Sequence, residues 1–98
     1  MSRFQELIDS DIPLLVDFSA EWCGPCKILA PELKKFAGHM RDRHRVIKVD
    51  VDKNPQVAMH YQVQSVPTLI LFRKGRQLWR RSGAMSVSQL SSAIEPLL

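Results

Sequence analysis

Apolar residues recur along this chain with two periods, and the periods separate helices from strands. Helical spacing predicts four helices. They cover residues 2–10, 25–40, 54–62 and 86–98. The long second helix contains Pro31, where we expect a kink, and Pro96 should fray or end the last helix early. We expect Asn54 to cap the third helix, with Pro55 at its first position.

Four shorter segments have the pattern of strands. They cover residues 12–20, 46–52, 67–72 and 78–82. The first, IPLLVDFSA, is a continuous apolar run interrupted by a single aspartate, which predicts a strand buried on both faces. The segment RKGRQ around Gly75 predicts a tight turn that joins the last two strands into an antiparallel hairpin.

The order of these elements predicts an α/β fold. A long helical crossover separates the first two strands, so they should be parallel with a right-handed connection. Helices should cover both faces of a central mixed four-stranded β-sheet. A chain of 98 residues is long enough for one domain and too short for two, so we expect a single domain over residues 1–98.

Composition is that of an ordinary globular protein, with 45% hydrophobic and 24% charged residues. The formal net charge of +4 does not predict a nucleic-acid partner, because the basic residues are spread along the chain. The densest basic cluster, RDRHR at 41–45, contains an aspartate and falls at a predicted helix end, where cations complement the helix dipole. The positive net charge favours acidic protein partners, because it steers their diffusional approach electrostatically.

We expect a cytoplasmic protein that does not enter a membrane. No segment approaches the ~18 consecutive apolar residues of a membrane helix, and the start of the chain lacks the apolar core of a signal peptide. Because the numbering begins at a methionine, we expect the chain to be complete. In a reducing cytosol, a lone pair of close cysteines is more often catalytic or metal-binding than a permanent crosslink.

Both cysteines lie in EWCGPCK, residues 21–27. A structural zinc site needs four ligands, and no second cysteine pair exists. His39 and His44 fall at the far end of the predicted helix from Cys23, and His60 falls on another helix. A zinc site within one chain is therefore poorly supported, whereas a metal shared between two chains stays open.

Redox chemistry fits the two cysteines better. Cys23 follows a strand and precedes a helix, where backbone N–H groups and the helix dipole favour a thiolate. Pro25 suits the first helical turn. Cys26 lies one turn further on, close enough to resolve a mixed disulfide. We expect Cys23 to be the more exposed attacking thiol and Cys26 the more covered resolving thiol.

The segment AEWCGPCK (20–27) resembles the active-site motif of the thioredoxin family, and the resemblance extends over nearly the whole chain. Further matching segments follow in the family order, namely VDF (16–18), Pro31, VDVDKNP (49–55), VPTLILF (66–72), KG (74–75) and SGA (82–84). The resemblance implies the thioredoxin fold and a thiol-disulfide oxidoreductase that reduces disulfides in other proteins. It also implies a thioredoxin reductase-like electron donor and no cofactor beyond the Cys23–Cys26 couple.

The resemblance also implies roles for two charged residues. Asp17 would be a buried aspartate beneath the cysteines, with its pKa raised by desolvation, that exchanges a proton with Cys26. The alternative is a solvent-facing strand position. Lys48 resembles the lysine that pairs with this aspartate, and its alternative is an exposed lysine on an edge strand.

A substrate-binding surface around the cysteines is implied in the same way. It would consist of Trp22, Gly24, Pro25, Val66, Pro67, Gly83 and Ala84. The Val66–Pro67 bond would be cis, and the backbone of Val66 would pair with an extended substrate. Trp22 would form the rim of this surface, although it could instead be a core aromatic. Gly83 would let a partner backbone approach closely, and Trp79 is expected only to pack.

Two departures from the family pattern stand out. Ser19 occupies a position where thioredoxins usually carry a tryptophan, which removes an aromatic wall near the cysteines. The short strand that usually precedes the first helix is missing, so the strand at 46–52 should lie at an open sheet edge. We expect a monomer with a weak tendency to dimerise through this edge.

Two other functions remain open from the residues alone. One is a binding module that uses the same surface without turnover, and the other is an oxidase or isomerase in an oxidising compartment. Gly24–Pro25 between the cysteines is the pair associated with reducing thioredoxins, which favours the reductant. The fold does not separate these functions, whereas the chemistry of the site does.

Overall fold

The computed structural model describes residues 2–40 and 45–98. Its helices and strands follow one another as α1 (Ser2–Ile8), β1 (Leu14–Ser19), α2 (Gly24–Met40), β2 (Arg45–Asp50), α3 (Pro55–His60), β3 (Thr68–Arg73), β4 (Arg76–Ser82) and α4 (Val87–Ile94). This is the predicted order of elements. Residues 41–44, which hold most of the basic cluster RDRHR and include His44, lie outside the described residues.

The strands form one mixed sheet in the order β2-β1-β3-β4. β1 runs parallel to β2 and antiparallel to β3, and β3 pairs with β4 as an antiparallel hairpin. The predicted four-stranded mixed sheet is therefore confirmed. β2 lies at one end of this order, so the expected position of this strand at a sheet edge is confirmed for the described residues.

Helices cover both faces of the sheet. Successive strand residues point to opposite faces, so each face contributes its own set of buried side chains. Every residue of β1 is buried, as its continuous apolar run predicts. The face toward α2 and α4 buries Leu15, Leu29, Leu33, Phe36, Leu69, Leu71, Met85, Leu90 and Ile94. The face toward α1 and α3 buries Ile8, Leu14, Val16, Phe18, Val49, Val57, Tyr61, Ile70 and Phe72. Trp79 packs against the first of these clusters, as expected.

The last helix begins and ends at local signals. Ser86 and Gln89 form a reciprocal capping box, in which the Gln89 N–H donates to the Ser86 Oγ at 3.1 Å and the Ser86 N–H donates to the Gln89 Oε1 at 3.0 Å. α4 ends at Ile94, and a short 3₁₀ turn (Glu95–Leu97) containing Pro96 follows. The early end predicted from Pro96 is confirmed.

The third helix begins differently from the prediction and ends at an unexpected residue. Asn54 precedes it, but its side chain makes no cap because its Nδ2 donates to the carbonyl of Asp50 at 3.0 Å. At the other end Gln62 adopts a left-handed φ of 54°. The N–H groups of Gln62 and Val63 close the helix end as a Schellman motif, by bonding to the carbonyls of Met59 and Ala58.

Candidate active site

The two cysteines sit at the start of α2, directly beyond the end of β1. They form a disulfide with a Cα–Cα distance of 5.3 Å. The backbone N–H of Cys26 donates to the Sγ of Cys23 at 3.2 Å. An N–H aimed at this sulfur and the positive end of a 17-residue helix both stabilise negative charge there, so this geometry favours a thiolate at Cys23 in the reduced protein.

Both cysteines are buried, and their exposure does not differ as expected. Cys23 is 3% exposed and Cys26 is 5% exposed. The expectation that Cys23 is clearly the more exposed residue is therefore wrong. The cause is packing from distant segments, because Val51 and Val66 lie against the cluster formed by Ala20 and the two cysteines.

The Val66–Pro67 segment lies beside the disulfide. Its peptide bond is cis, as predicted. The carbonyl oxygen of Val66 is 3.6 Å from the Sγ of Cys23. Pro67 is buried, and its carbonyl accepts the N–H of Gly83 at 2.9 Å, where Gly83 has a φ of 98°. The fold thus brings Cys23, Val66, Pro67 and Gly83 together from three separate parts of the chain.

Trp22 lies at the surface next to the cysteines and is 70% exposed. This exposure excludes the alternative of a core aromatic. Its indole N–H donates to the Oδ2 of Asp52 at 2.8 Å, which fixes the orientation of the ring. Gly24, Pro25 and Ala84 are also exposed.

Asp52 is a residue of this site that the sequence analysis did not identify. It lies in the loop after β2, where the Oδ1 of Asp50 accepts the N–H groups of Asp52 and Lys53 at 2.9 and 3.2 Å. The segment VDVDKNP contains it, but nothing in the local pattern distinguishes its carboxylate from that of Asp50. The contact with Trp22 spans 30 residues of sequence and follows only from the folded structure.

Asp17 is buried in β1, with 3% of its surface exposed. The alternative of a solvent-facing strand position is therefore wrong. Burial raises the pKa of Asp17 to about 6, and the charge of Lys48 opposes this change with a smaller effect. Its Oδ1 and the Oγ of Ser19 have no hydrogen-bond partner among the described residues. Ser19 is two residues further along the same strand, so the two polar side chains share the face toward α2.

Asp17 and Cys26 reach adjoining grooves on the side of the sheet covered by α2. Asp17 lines a groove between α2 and β2, and Cys26 lines a second groove at the start of α2. Ala30 and Lys48 line both grooves. The buried carboxyl and the second cysteine therefore line two grooves that share Ala30 and Lys48 as lining residues.

Lys48 lies opposite Asp17 in the parallel register of β1 and β2. Its side chain is exposed, and none of the ion pairs within 4 Å found in the described parts of the chain includes it. Lys48 therefore acts on the Asp17 carboxyl from the neighbouring strand through its charge, and no ion pair joins the two side chains among the described residues.

Two structural features are absent from the described residues. Over 2–40 and 45–98, no group of three or more His, Cys, Asp or Glu side chains is placed to hold a metal ion. Over the same residues, no helix has both the length and the apolar character needed to cross a membrane.

Comparison with known proteins gives one consistent result. Residues 1–96 match the family model for thioredoxin. The chain is 42% identical over 95 residues to "Thioredoxin-like protein slr0233" of Synechocystis sp., covering 96% of this chain and 90% of that relative. It is 44% identical over 91 residues to "Thioredoxin 1" of Nostoc sp., covering 93% and 85% of the two chains. It is also 46% identical over 89 residues to "Bifunctional thioredoxin reductase/thioredoxin" of Mycobacterium leprae, covering 91% of this chain and 19% of that relative.

Proposed function

Because the chain belongs to the thioredoxin family and is a thiol-disulfide oxidoreductase that reduces protein disulfides, we propose that Cys23 is its attacking thiol and Cys26 its resolving thiol. The observation that carries this assignment is the Cys26 N–H directed at the Sγ of Cys23. Cys23 also precedes the helix, so its sulfur receives the larger stabilisation of negative charge.

The proposed reaction moves two electrons to the target. The Cys23 thiolate attacks one sulfur of the target disulfide, forms a mixed disulfide and releases the other target sulfur as a thiolate, which takes up a proton. Cys26 then loses its proton and attacks the Sγ of Cys23. The mixed disulfide breaks, the second target thiol is released, and the protein is left with the oxidised Cys23–Cys26 pair.

Asp17 is the proposed acceptor of the Cys26 proton. With a pKa of about 6, its carboxyl is mostly ionised at neutral pH and still basic enough to take a proton from a thiol. The position of Asp17 in the groove that adjoins Cys26 supports this role. Lys48 is proposed to limit, through its charge, the rise in the pKa of Asp17 that burial causes.

The proposed substrate-binding surface surrounds Cys23. An extended segment of the target would pair with the backbone of Val66, the residue whose carbonyl already lies 3.6 Å from the Cys23 sulfur. The exposed ring of Trp22 would contact the target on one side. The remaining positions of this surface are Gly24, Pro25, Pro67, Gly83 and Ala84.

Family membership implies disulfide-containing protein targets and a reductase as the electron source. One relative carries both names, thioredoxin reductase and thioredoxin, in a single chain, and we propose that a separate thioredoxin reductase serves this protein. We further propose a cytoplasmic monomer that acts as one domain over residues 1–98. It would need no cofactor beyond the disulfide and no nucleic acid or membrane partner, and its dimerisation through the β2 edge would be weak.

Single cysteine variants test the proposed order of attack. The reduced Cys26→Ser protein, incubated with a disulfide-bonded protein such as insulin, should accumulate a mixed disulfide through Cys23. The matched Cys23→Ser protein should accumulate none, because its remaining thiol lacks the helix-end stabilisation. Non-reducing gels and mass spectrometry would identify the adduct. Trapping through Cys26 alone would reverse the assignment.

The reduction potential of the Cys23–Cys26 couple tests the direction of electron flow. Equilibration with glutathione and dithiothreitol buffers at neutral pH should give a potential well below that of the cytosolic glutathione pool. A potential above that pool would contradict the proposed reductant and favour an oxidase or isomerase.

A further inference from the structure

The β2 edge of the sheet carries backbone groups that no described strand uses. The N–H groups of Arg45 and Val51 bond to the carbonyls of Pro13 and Ser19, on the side of β1. In a parallel pair the residues that bond to one neighbour alternate with those that point away from it. The N–H and C=O groups of Val46 and Lys48 therefore point outward from the sheet, away from β1.

An apolar groove of about 620 Å³ runs beside this edge, between β2 and α2. Its apolar wall comes from both elements and includes Ala30, Pro31, Leu33 and Val46. Val46 and Ile47 are half-buried on opposite faces of β2, so each face of the edge presents apolar surface to a strand placed beside it. A partly apolar edge whose backbone groups point outward is a template for strand addition.

The charges at the groove are positive. Lys34 on α2 and Lys48 on β2 line it, and both are exposed. Neither takes part in an ion pair within 4 Å in the portion of the chain that is described. The carboxyl of Asp17, which also lines the groove, is only 3% exposed. The groove is thus complementary to an acidic occupant.

A second copy of this chain fits the edge less well. Antiparallel pairing of two β2 strands brings the exposed Lys48 side chains of both copies close together on the face toward α2, and like charges across a strand pair are destabilising. Each copy also carries a formal net charge of +4. The charge of the edge therefore selects against self-pairing and in favour of a different chain.

We propose that the β2 edge binds an extended acidic and apolar segment of a partner protein as a fifth strand. Its backbone pairs with Val46 and Lys48. On the face toward α2, an apolar side chain lies over Val46 in the groove, and a carboxylate two residues away lies between Lys34 and Lys48. On the other face, an apolar side chain covers Ile47. The segment therefore has the pattern acidic-apolar-apolar in one strand direction and apolar-apolar-acidic in the other.

This docking site is separate from the surface around Trp22 and Val66, so the partner and a disulfide substrate can be bound together. Because Asp17 and Lys48 line the same groove, an occupant also changes the surroundings of the carboxyl. The consequence of this change for proton transfer from Cys26 rests on the proposed role of Asp17. The binding itself does not depend on that role.

A peptide titration tests the binding directly. The probe is a synthetic, end-blocked Ser-Glu-Val-Val-Val-Glu-Ser peptide, which offers the required pattern in either strand direction, added to the oxidised ¹⁵N-labelled protein. We expect saturable shifts of the Val46, Ile47 and Lys48 amides and at least fivefold slower hydrogen exchange at Val46 and Lys48. A peptide with both Glu replaced by Gln should bind at least fivefold more weakly. A peptide with Pro in place of the central Val should lose the exchange protection.

Two matched protein variants separate the groove from general charge. Lys34→Glu should weaken binding of the acidic peptide at least tenfold and improve binding of a Lys-for-Glu peptide. Lys35→Glu makes the same change of charge one residue away, at a lysine that pairs with Glu32 and does not line the groove, and should alter binding less than threefold.

Several results would overturn the proposal. They are no saturable shifts at β2, shifts centred on Trp22 and Val66, equal binding of the Glu and Gln peptides, or equal effects of Lys34→Glu and Lys35→Glu. Concentration-dependent protection of Val46 and Lys48 without peptide, together with a dimer in sedimentation, would assign the edge to a second copy and would also overturn it. Insulin reduction by the same samples reports on the redox function separately.

Discussion

The buried carboxyl of Asp17 gives a quantitative prediction about stability. The substitution Asp17→Asn keeps the shape of the side chain and removes its charge. In the oxidised protein the carboxyl is 3% exposed, and burial raises its pKa from 3.8 to about 6. The folded protein therefore binds a proton at Asp17 more tightly than the unfolded chain does.

The sign and size follow from this difference in proton affinity. Below about pH 4 the carboxyl is protonated in the folded protein, and its burial lowers the free energy of unfolding only a little. Between about pH 4 and pH 6 the unfolded chain releases this proton more readily than the folded protein does, so the wild type loses stability. At ~1.4 kcal/mol per pKa unit, the ionised carboxylate costs about 3 kcal/mol at pH 7, and roughly 2.5 kcal/mol of this appears between pH 4 and pH 7.

The assay is urea unfolding of the oxidised wild type and Asp17→Asn proteins at pH 4, 5, 6 and 7. The free energy of unfolding of the variant should exceed that of the wild type by roughly 2.5 kcal/mol more at pH 7 than at pH 4. Burying the Asn amide can itself cost about 1–3 kcal/mol. That cost is the same at each pH, so the prediction concerns the change with pH.

The control is Asp11→Asn, which removes an exposed carboxylate that pairs with Lys74. Its difference from the wild type should vary by less than about 1 kcal/mol over the same range, as for an exposed ion pair. A difference between wild type and Asp17→Asn that stays constant from pH 4 to pH 7 would refute the claim that burial raises the pKa of Asp17.

Three further substitutions test local features by urea unfolding at pH 7. Gln62→Gly should raise the free energy of unfolding by about 0.5–1 kcal/mol, because Gln62 holds a left-handed φ of 54° that glycine adopts without strain; a loss of stability would contradict this. Gly83→Ala should lower it by about 1–2 kcal/mol, because its φ is 98°, and a neutral result would show that the turn can relax. Ser19→Ala should leave it unchanged or raise it by up to about 1 kcal/mol, since the Ser19 hydroxyl is buried without a partner among the described residues; a loss above about 1 kcal/mol would show that the hydroxyl is bonded.

Much of the fold could be predicted because its determinants are local. The apolar run of β1 predicts a buried strand, and the single aspartate within that run is buried with it. Pro96 ends α4 where a proline must end it. The spacing of Cys23 and Cys26 places both at the start of one helix, and that is where the structure has them.

The details that could not be predicted depend on contacts between distant segments. The burial of Cys23 follows from the packing of Val66, which lies 43 residues away. Asn54 has the residue type of a helix cap, but a nearby carbonyl competes for its amide. The distance from Lys48 to Asp17 depends on the rotamer of an exposed side chain, which strand register alone does not determine.

The burial of the disulfide has a consequence for which thiols exchange with it quickly. With both cysteines at least 95% covered, a small thiol in solution gains nothing from the protein surface to offset the narrow approach to sulfur. A protein thiol gains binding energy from the surface beside Trp22 and Val66 before any bond changes, which raises its effective concentration at the sulfur. Burial of the disulfide therefore favours fast thiol-disulfide exchange with macromolecules that dock beside Cys23. Exchange with the surrounding pool of small thiols is slow by comparison.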